Sequence, residues 1–160
     1  MPHDNKMELV CPAGSLPALK VAVDNGADCV YMGFRDNTNA RNFAGLNFDV
    51  TSAREGVRYA HERGAKVLLA LNTYPQSSGG EKWQTAIDNA ANIGIDAVIL
   101  ADPGLMQYAC DTYPDLRLHL SVQGSATNYE AINFYHQQFN IQRAVLPRVL
   151  ALRQVEQLML

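Results

Sequence analysis

The sequence predicts an incomplete parallel (β/α) TIM-type barrel, with about six of the eight βα units that a closed barrel contains. Three observations predict it. A short β-branched apolar run, a loop, an amphipathic helix and a glycine recur in that order along the 160 residues. The joins Gly26-Ala27-Asp28, Gly64-Ala65-Lys66 and Gly94-Ile95-Asp96 are near-copies about 30 to 40 residues apart. Polar residues cluster just after nearly every apolar run, as they do when all βα loops line one face. A doubly wound sheet would also alternate strands and helices, but no G-x-G-x-x-G or G-x-x-x-x-G-K-[ST] follows any strand.

The first strand is expected over Glu8-Leu9-Val10-Cys11, after a disordered extension of residues 1–6. Ser15 supplies an N-cap, Pro17 suits the first helical turn, and Leu16, Leu19 and Val23 fall at i, i+3 and i+7. Gly26 ends that helix, and Cys29-Val30-Tyr31-Met32 forms the second strand. Ser52-x-x-Glu55 reads as a capping box opening the second helix, which closes at Gly64. Val67 to Leu71 is the third strand. The third helix places Trp83, Ile87 and Ala91 at i, i+4 and i+8 and closes at Gly94. Ala97 to Leu100 is the fourth strand. Leu118 to Val122 is the fifth, and Asn128 caps a helix that turns Ile132, Tyr135 and Phe139 inward. Ala144-Val145-Leu146 is the sixth strand, and Leu152 through Leu160 begins a sixth helix. That helix stops on Leu158-Met159-Leu160 without cap, glycine or polar tail. Residues 7–160 therefore read as the N-terminal portion of a longer barrel.

Composition narrows the function classes. At 48% hydrophobic residues the chain can bury a sizeable core, and a net charge of −3 with a pI near 5.7 gives no general attraction to nucleic acid or an anionic membrane. No apolar run approaches the ~18 residues of a membrane span. Residues 1–6 lack the apolar core of a signal peptide, so a cytoplasmic location is the default expectation.

Cys11, Cys29 and Cys110 are far apart, odd in number and free of any C-x-x-C, which indicates neither a zinc knuckle nor a disulfide framework. Cys29 in a strand and Cys110 in a helix read as buried small hydrophobes, whereas Cys11 lies near a strand end. His3, His61, His119 and His136 make no H-x-x-x-H pair. His61 and His136 fall on solvated helix faces. His119 alternates with Leu118 and Leu120 and so points away from the face those leucines fill. No G-x-S-x-G is present, and no serine has an evident histidine and acid partner.

The strand ends hold the candidate ligand contacts: Asn39, Arg41, Asn72, Asp102, Ser121, Gln123 and Arg148. Strand alternation puts Ser121 and Gln123 on one side, with Gln123 a buried amide that demands partners. Gln123 and Asn72 offer paired donors and acceptors, and Arg41 and Arg148 offer forked, fixed positive charge. That set suits a polar, carboxylate-bearing ligand. Each has a structural reading beside it. Asn37, Asn39 and Asn42 are turn formers, Asp102-Pro103 has the form of an N-cap and first helical turn, and each arginine could pair with a loop carboxylate.

Longer stretches are specific enough to recognise. Residues 7–20, Met7-Glu8-Leu9-Val10-Cys11-Pro12-Ala13-Gly14-Ser15 onward, and residues 25–33 resemble the opening of the U32 peptidase family. Residues 36–48, with Thr38-Asn39-Ala40-Arg41, and residues 121–128, 131–136 and 146–150 resemble its ubiquinone-biosynthesis (UbiU-like) branch. The resemblance implies a (β/α) barrel that is one subunit of an oxygen-independent hydroxylase in anaerobic ubiquinone synthesis. It further implies a UbiV-like sister U32 protein as partner, a small-molecule quinone precursor as substrate, and prephenate as a possible oxygen source. A [4Fe-4S] cluster on four cysteines is implied for the full-length protein. Cys11, Cys29 and Cys110 do not match the family's cluster ligands, so no cluster is expected on this chain and it is expected to be inactive alone. Other readings are a U32 peptidase or collagenase, a U32 protein that hydroxylates RNA bases, and a non-catalytic barrel that binds a metabolite or partner.

Overall fold

The computed structural model describes residues 7–158; the expected N-terminal extension and the last two residues of the sixth helix lie outside them. Among the described residues six strands and six helices alternate as the sequence predicts. The strands are β1 (Val10–Pro12), β2 (Cys29–Met32), β3 (Lys66–Leu71), β4 (Ala97–Leu100), β5 (Arg117–Leu120) and β6 (Arg143–Ala144). The helices are α1 (Leu16–Asp24), α2 (Val50–His61), α3 (Glu81–Ile93), α4 (Pro103–Thr112), α5 (Tyr129–Phe139) and α6 (Leu152–Leu158), with a 3₁₀ turn over Val122–Gly124.

All six strands are parallel and lie in chain order β1-β2-β3-β4-β5-β6. A doubly wound sheet would reverse order at a switch point, so the topology selects the barrel. The register shows the curl. One lateral row runs from Pro12, the last residue of β1, through Tyr31 and Leu68 to Ala97 and Arg117, the first residues of β4 and β5. Such progressive stagger is the shear that bends a sheet toward closure.

Alternation then separates two faces. Val30, Met32, Val67, Leu69, Leu71, Val98, Leu100, Leu118 and Leu120 face the helices and join Leu19, Val23, Val57, Trp83, Ile87 and Met106 in the main core. Leu69 is fully buried, which is worth about 1.5–3 kcal/mol over exposure. The other face forms a smaller cluster of Cys29, Leu68 and Ala97, against which Tyr31 and Ile99 pack. His119 shares this inner side, as expected from its alternation with the leucines. Cys29 is buried here, and its thiol is pushed up to about 11 chiefly by burial.

Several boundaries differ from expectation. Glu8 and Leu9 precede β1: the Leu9 carbonyl accepts the Asp28 and Cys29 N–H groups, but the ladder starts at Val10. The second helix starts at Val50, and its cap is Asp49 rather than Ser52. Asp49 Oδ1 accepts both the N–H and the hydroxyl of Ser52 (2.7 and 2.8 Å), and Glu55 turns away to bind Lys20 of α1 at 2.7 Å. Ala90, not Ala91, is the fully buried alanine of α3, because the 3.6-residue period drifts from an i+8 spacing. The fifth strand ends at Leu120, and the sixth starts one residue and ends two residues earlier than expected. Ser15, Asp102 and Asn128 cap α1, α4 and α5 as their sequence positions predict.

The N-terminal end of the strands closes as a charged floor around a cavity of about 90 Å³ lined by Glu8, Cys29, Lys66, Asp96, Arg117, His119 and Arg143, among others. Arg143 reaches from β6 to Glu8 beside β1 at 2.7 Å, so the two edges of the curled sheet meet through side chains there. Burial lowers the His119 pKa to about 4, with Arg143 and Arg117 pushing the same way. Its ordinary value is near 6.5. Between those two values the unfolded chain takes up a proton that the native imidazole refuses, so stability should fall as pH drops from about 6.5 to about 4, by at most about 3 kcal/mol. Urea midpoints measured from pH 7 to pH 4 should show this slope, and H119L should flatten it; an equal slope in both proteins would exclude His119 as its source.

Candidate functional site at the strand C-termini

The opposite rim is built mainly by the loop between β2 and α2, residues 33–49. A parallel bridge between Phe34 and Phe48 closes the base of this loop, and both rings are buried. Inside it, Asp36 Oδ1 accepts the N–H and hydroxyl of Thr38 at 2.9 and 2.6 Å. Asn39 is 6% exposed; its Oδ1 accepts the Arg41 N–H at 3.1 Å, and its Nδ2 donates to Asn47 Oδ1 at 3.3 Å. Asn47, also buried, donates from Nδ2 to the Arg41 carbonyl at 2.9 Å. Its backbone lies in the left-handed region (φ 75°), and its N–H donates to the Gly14 carbonyl at 2.7 Å, tying the loop to the β1–α1 turn.

Neighbouring loops lock onto this one. Asn72, just after β3, accepts the Ala40 N–H through Oδ1 at 3.0 Å. Thr73 donates its hydroxyl to the Asn37 carbonyl at 2.6 Å and accepts the Trp83 indole N–H at 3.0 Å. Tyr74 donates its hydroxyl across the rim to the Gln123 carbonyl at 2.8 Å. Burial raises the Tyr74 pKa, with Tyr135 and Asp102 adding to the shift, so the phenol keeps its proton near neutrality.

The expected site residues divide by what their side chains do. Asn39 spends its amide inside the loop. Asn72 Oδ1 holds the Ala40 N–H, Asp102 Oδ1 accepts the Leu105 N–H at 2.9 Å as the α4 cap, and buried Ser121 accepts the Gln123 N–H at 3.2 Å. Gln123 corrects the sequence reading: it is exposed and lies in the 3₁₀ turn, so strand alternation does not hold beyond Leu120. Ser125 follows at φ 52°, which breaks the expected Ser121-Gln123-Ser125 row. Arg41 and Arg148 are exposed, and among the described residues neither pairs with a carboxylate. Arg41 Nη1 instead lies 3.5 Å from the Tyr31 hydroxyl. Tyr31, Asn47 and Tyr74 were not among the expected residues. Strand alternation could have flagged Tyr31; nothing local marks the other two.

The rim is therefore a set of donors, amides and exposed guanidinium groups, Arg41 and Arg148 among them, suited to an anionic, hydrogen-bonding ligand. Its carboxylates at Asp36, Asp49 and Asp102 are engaged in turns and caps, so among the described residues no acid–base pair stands ready. The cysteines do not fit an iron–sulfur cluster. Cys11 faces the helix side of β1, Cys29 the inner side of β2, and Cys110 donates its thiol to the Phe139 carbonyl at 3.4 Å. Burial raises the pKa of both Cys29 and Cys110, opposing the thiolate that metal binding requires. Among the described residues no three His, Cys, Asp or Glu side chains cluster to hold a metal. Nor is any helix among them long and apolar enough to cross a membrane.

The pattern of peptidase family U32 fits residues 14–160. The chain is 37% identical over 149 residues to the tRNA hydroxylation protein P of Helicobacter pylori, covering 92% of this chain and 35% of that protein. It is 37% identical over 152 residues to the uncharacterized protease MJ0090 of Methanocaldococcus jannaschii, covering 95% of this chain and 36% of that one. The chain thus spans about a third of the length of these curated relatives. The solved structure of the U32 peptidase Mk0906 superposes with a TM-score of 0.74 at 15% identity, over 99% of this chain and 67% of its own, which supports the same barrel fold.

Gly33 is required where β2 enters the loop. A Cβ there would overlap the Asn39 amide, with Asn39 Cγ 2.5 Å away, so the buried side chain would have to leave its place. Gly33→Ala should cost about 1–3 kcal/mol and increase hydrogen exchange across residues 38–48. A variant with unchanged melting temperature and unchanged exchange would show that the loop does not depend on that packing.

Proposed function

This chain belongs to peptidase family U32, and from that premise we propose that it forms the substrate-facing part of a U32 hydroxylation protein acting without O₂ on a quinone precursor in ubiquinone synthesis. One observation carries the substrate choice. Of the four stretches resembling the ubiquinone-biosynthesis branch, residues 36–48, 121–128 and 146–150 follow β2, β5 and β6 on one rim, and residues 131–136 lie in α5. The stretches that resemble U32 proteins generally, residues 7–20 and 25–33, form the β1–α1–β2 scaffold beneath it. Three of the four branch-like stretches on the rim, above a frame shared with the wider family, are what a common fold with differing substrates would produce.

In this reading Arg41 and Arg148 supply cationic contacts to a carboxylate-bearing reactant such as prephenate. A UbiV-like U32 protein is the partner. The [4Fe-4S] cluster belongs to the full-length protein and is not assigned to Cys11, Cys29 or Cys110. Location in the cytoplasm is part of the same proposal.

The names of the relatives favour a second reading, hydroxylation of an RNA base, since several related proteins 31–37% identical are called tRNA hydroxylation proteins. The net charge of −3 supplies little of the phosphate attraction on which RNA binding relies. A peptidase reading has less support: Ser121 accepts a backbone N–H, and His119 faces the floor.

Deleting the gene for the intact protein should remove ubiquinone formed under anaerobic growth while leaving hydroxylated tRNA nucleosides unchanged. Loss of the nucleosides with normal ubiquinone would select the RNA reading. In the intact protein R41A and R148A should each lower hydroxylation by at least about tenfold with unchanged circular dichroism; full activity in both would remove the arginines from the site.

A further inference from the structure

We infer that the floor at the strand N-termini is a binding site for a small tetrahedral oxyanion, held by Lys66, Arg117 and the ring N–H of His119. The inference goes beyond the hydroxylation reading and does not rest on it, since no rim residue takes part.

Register brings these groups together. Arg117 and His119 are two residues apart on β5, so their side chains leave the sheet on the same inner side. Arg143 of β6 sits directly across from His119 in the ladder. Lys66 lies two residues before Leu68 of the inner cluster and beside Cys29 in register. All of them line the floor cavity of about 90 Å³, together with Glu8 and Asp96. A single water needs only about 10–15 Å³, so the space admits a group of several heavy atoms.

An imidazole without a partner is the first sign of what that group is. His119 is 4% exposed, yet among the described residues the histidine hydrogen bonds are those of His61 and His136. No buried side-chain nitrogen or oxygen among them is sealed off without a bond, so the His119 ring nitrogens open on the cavity. A buried polar ring of this kind calls for something to supply its hydrogen bonds.

Charge is the second sign. Glu8 is taken by Arg143 at 2.7 Å, and Asp96 Oδ2 by His61 and the Val67 N–H at 2.8 and 2.7 Å. The ion pairs among the described residues leave Lys66 and Arg117 without a carboxylate. Arg117 gives its Nε to Gln142 Oε1 at 2.6 Å, which leaves the outer edge of its guanidinium free to donate. The unspent donors are thus an ammonium, a guanidinium edge and an imidazole N–H, and an oxyanion accepts from all three. A metal ion would be repelled by the same charges, and burial pushes the Cys29 thiol up to about 11, away from the thiolate a metal needs. Burial first, then Arg143 and Arg117, keep the His119 imidazole neutral. An anion in the cavity would offset the charges of those arginines and draw the His119 pKa upward.

The test uses the full-length protein and sulfate, whose charge stays constant from pH 7 to pH 4.5, against chloride at equal ionic strength. Histidine-ring NMR, with His119 assigned through H119Q, should show a saturable shift with sulfate and none with chloride. By calorimetry K66A and R117A, both at exposed positions, should each weaken sulfate about fivefold or more. Sulfate should bind about threefold tighter at pH 4.5 than at pH 7, because the imidazolium it favours adds a further positive charge. H119Q should lose most of that difference. Should H119Q not fold, K66A and R117A still decide the site. No saturable shift at His119, an equal shift with chloride, or affinities within about twofold of the unmodified protein in both K66A and R117A would overturn it. The same pH dependence in a folded H119Q would overturn the part given to His119.

Discussion

A parallel sheet has to be covered on both faces, and that constraint organises this protein. Crossover helices cover one face, which accounts for the long aliphatic rows Val67-Leu69-Leu71 and Val98-Leu100 packed on Trp83, Ile87 and Met106. The other face cannot receive helices when every crossover is right-handed and the strands keep chain order, so the sheet covers it by curling. The stagger from Pro12 to Arg117 records that curl. The inner side mixes Cys29, Ala97, Tyr31 and His119 with Leu68 and Ile99, where the outer side holds mainly leucine and valine.

The two ends of the curled sheet differ in kind as a consequence. At the strand N-termini the turns are short glycine joins, and charged residues meet over a narrow floor, with Glu8 and Arg143 bridging β1 and β6. At the C-termini the chain has freedom to lengthen, and the 17 residues from Gly33 to Asp49 use it. A loop of that length would lose much conformational entropy on ordering. Buried amides offset that cost. Asn39 and Asn47 satisfy backbone groups that no strand or helix serves, and Gly33 leaves the room they need. The rim is cross-linked by hydrogen bonds where Arg41 emerges, and it is linked to the β3 and β5 loops through Asn72 and the Tyr74 hydroxyl.

Much of the frame was legible because it rests on local chemistry. Ser15, Asp102 and Asn128 cap helices by accepting the N–H three residues on, and Gly26, Gly64 and Gly94 take the positive φ that a helix exit requires. The failures are as instructive. Ser52-x-x-Glu55 has the form of a capping box, but Asp49 lies closer to the true start and Lys20 of another helix draws Glu55 away. Gln123 continues a period-2 pattern in sequence, yet the backbone leaves the sheet at Ser121 and turns it to solvent.

By itself the sequence determined the βα alternation, the approximate strand positions and the membership of a known family. Those depend on periodicity, caps and glycines within a few residues of one another. Only the tertiary structure decided that the sheet curls in chain order, that Asn47 holds Arg41 and that Arg41 faces Tyr31. Each of those depends on residues brought together by the stagger of neighbouring strands and the path of a long loop, and no local pattern encodes which distant donor a buried amide will meet.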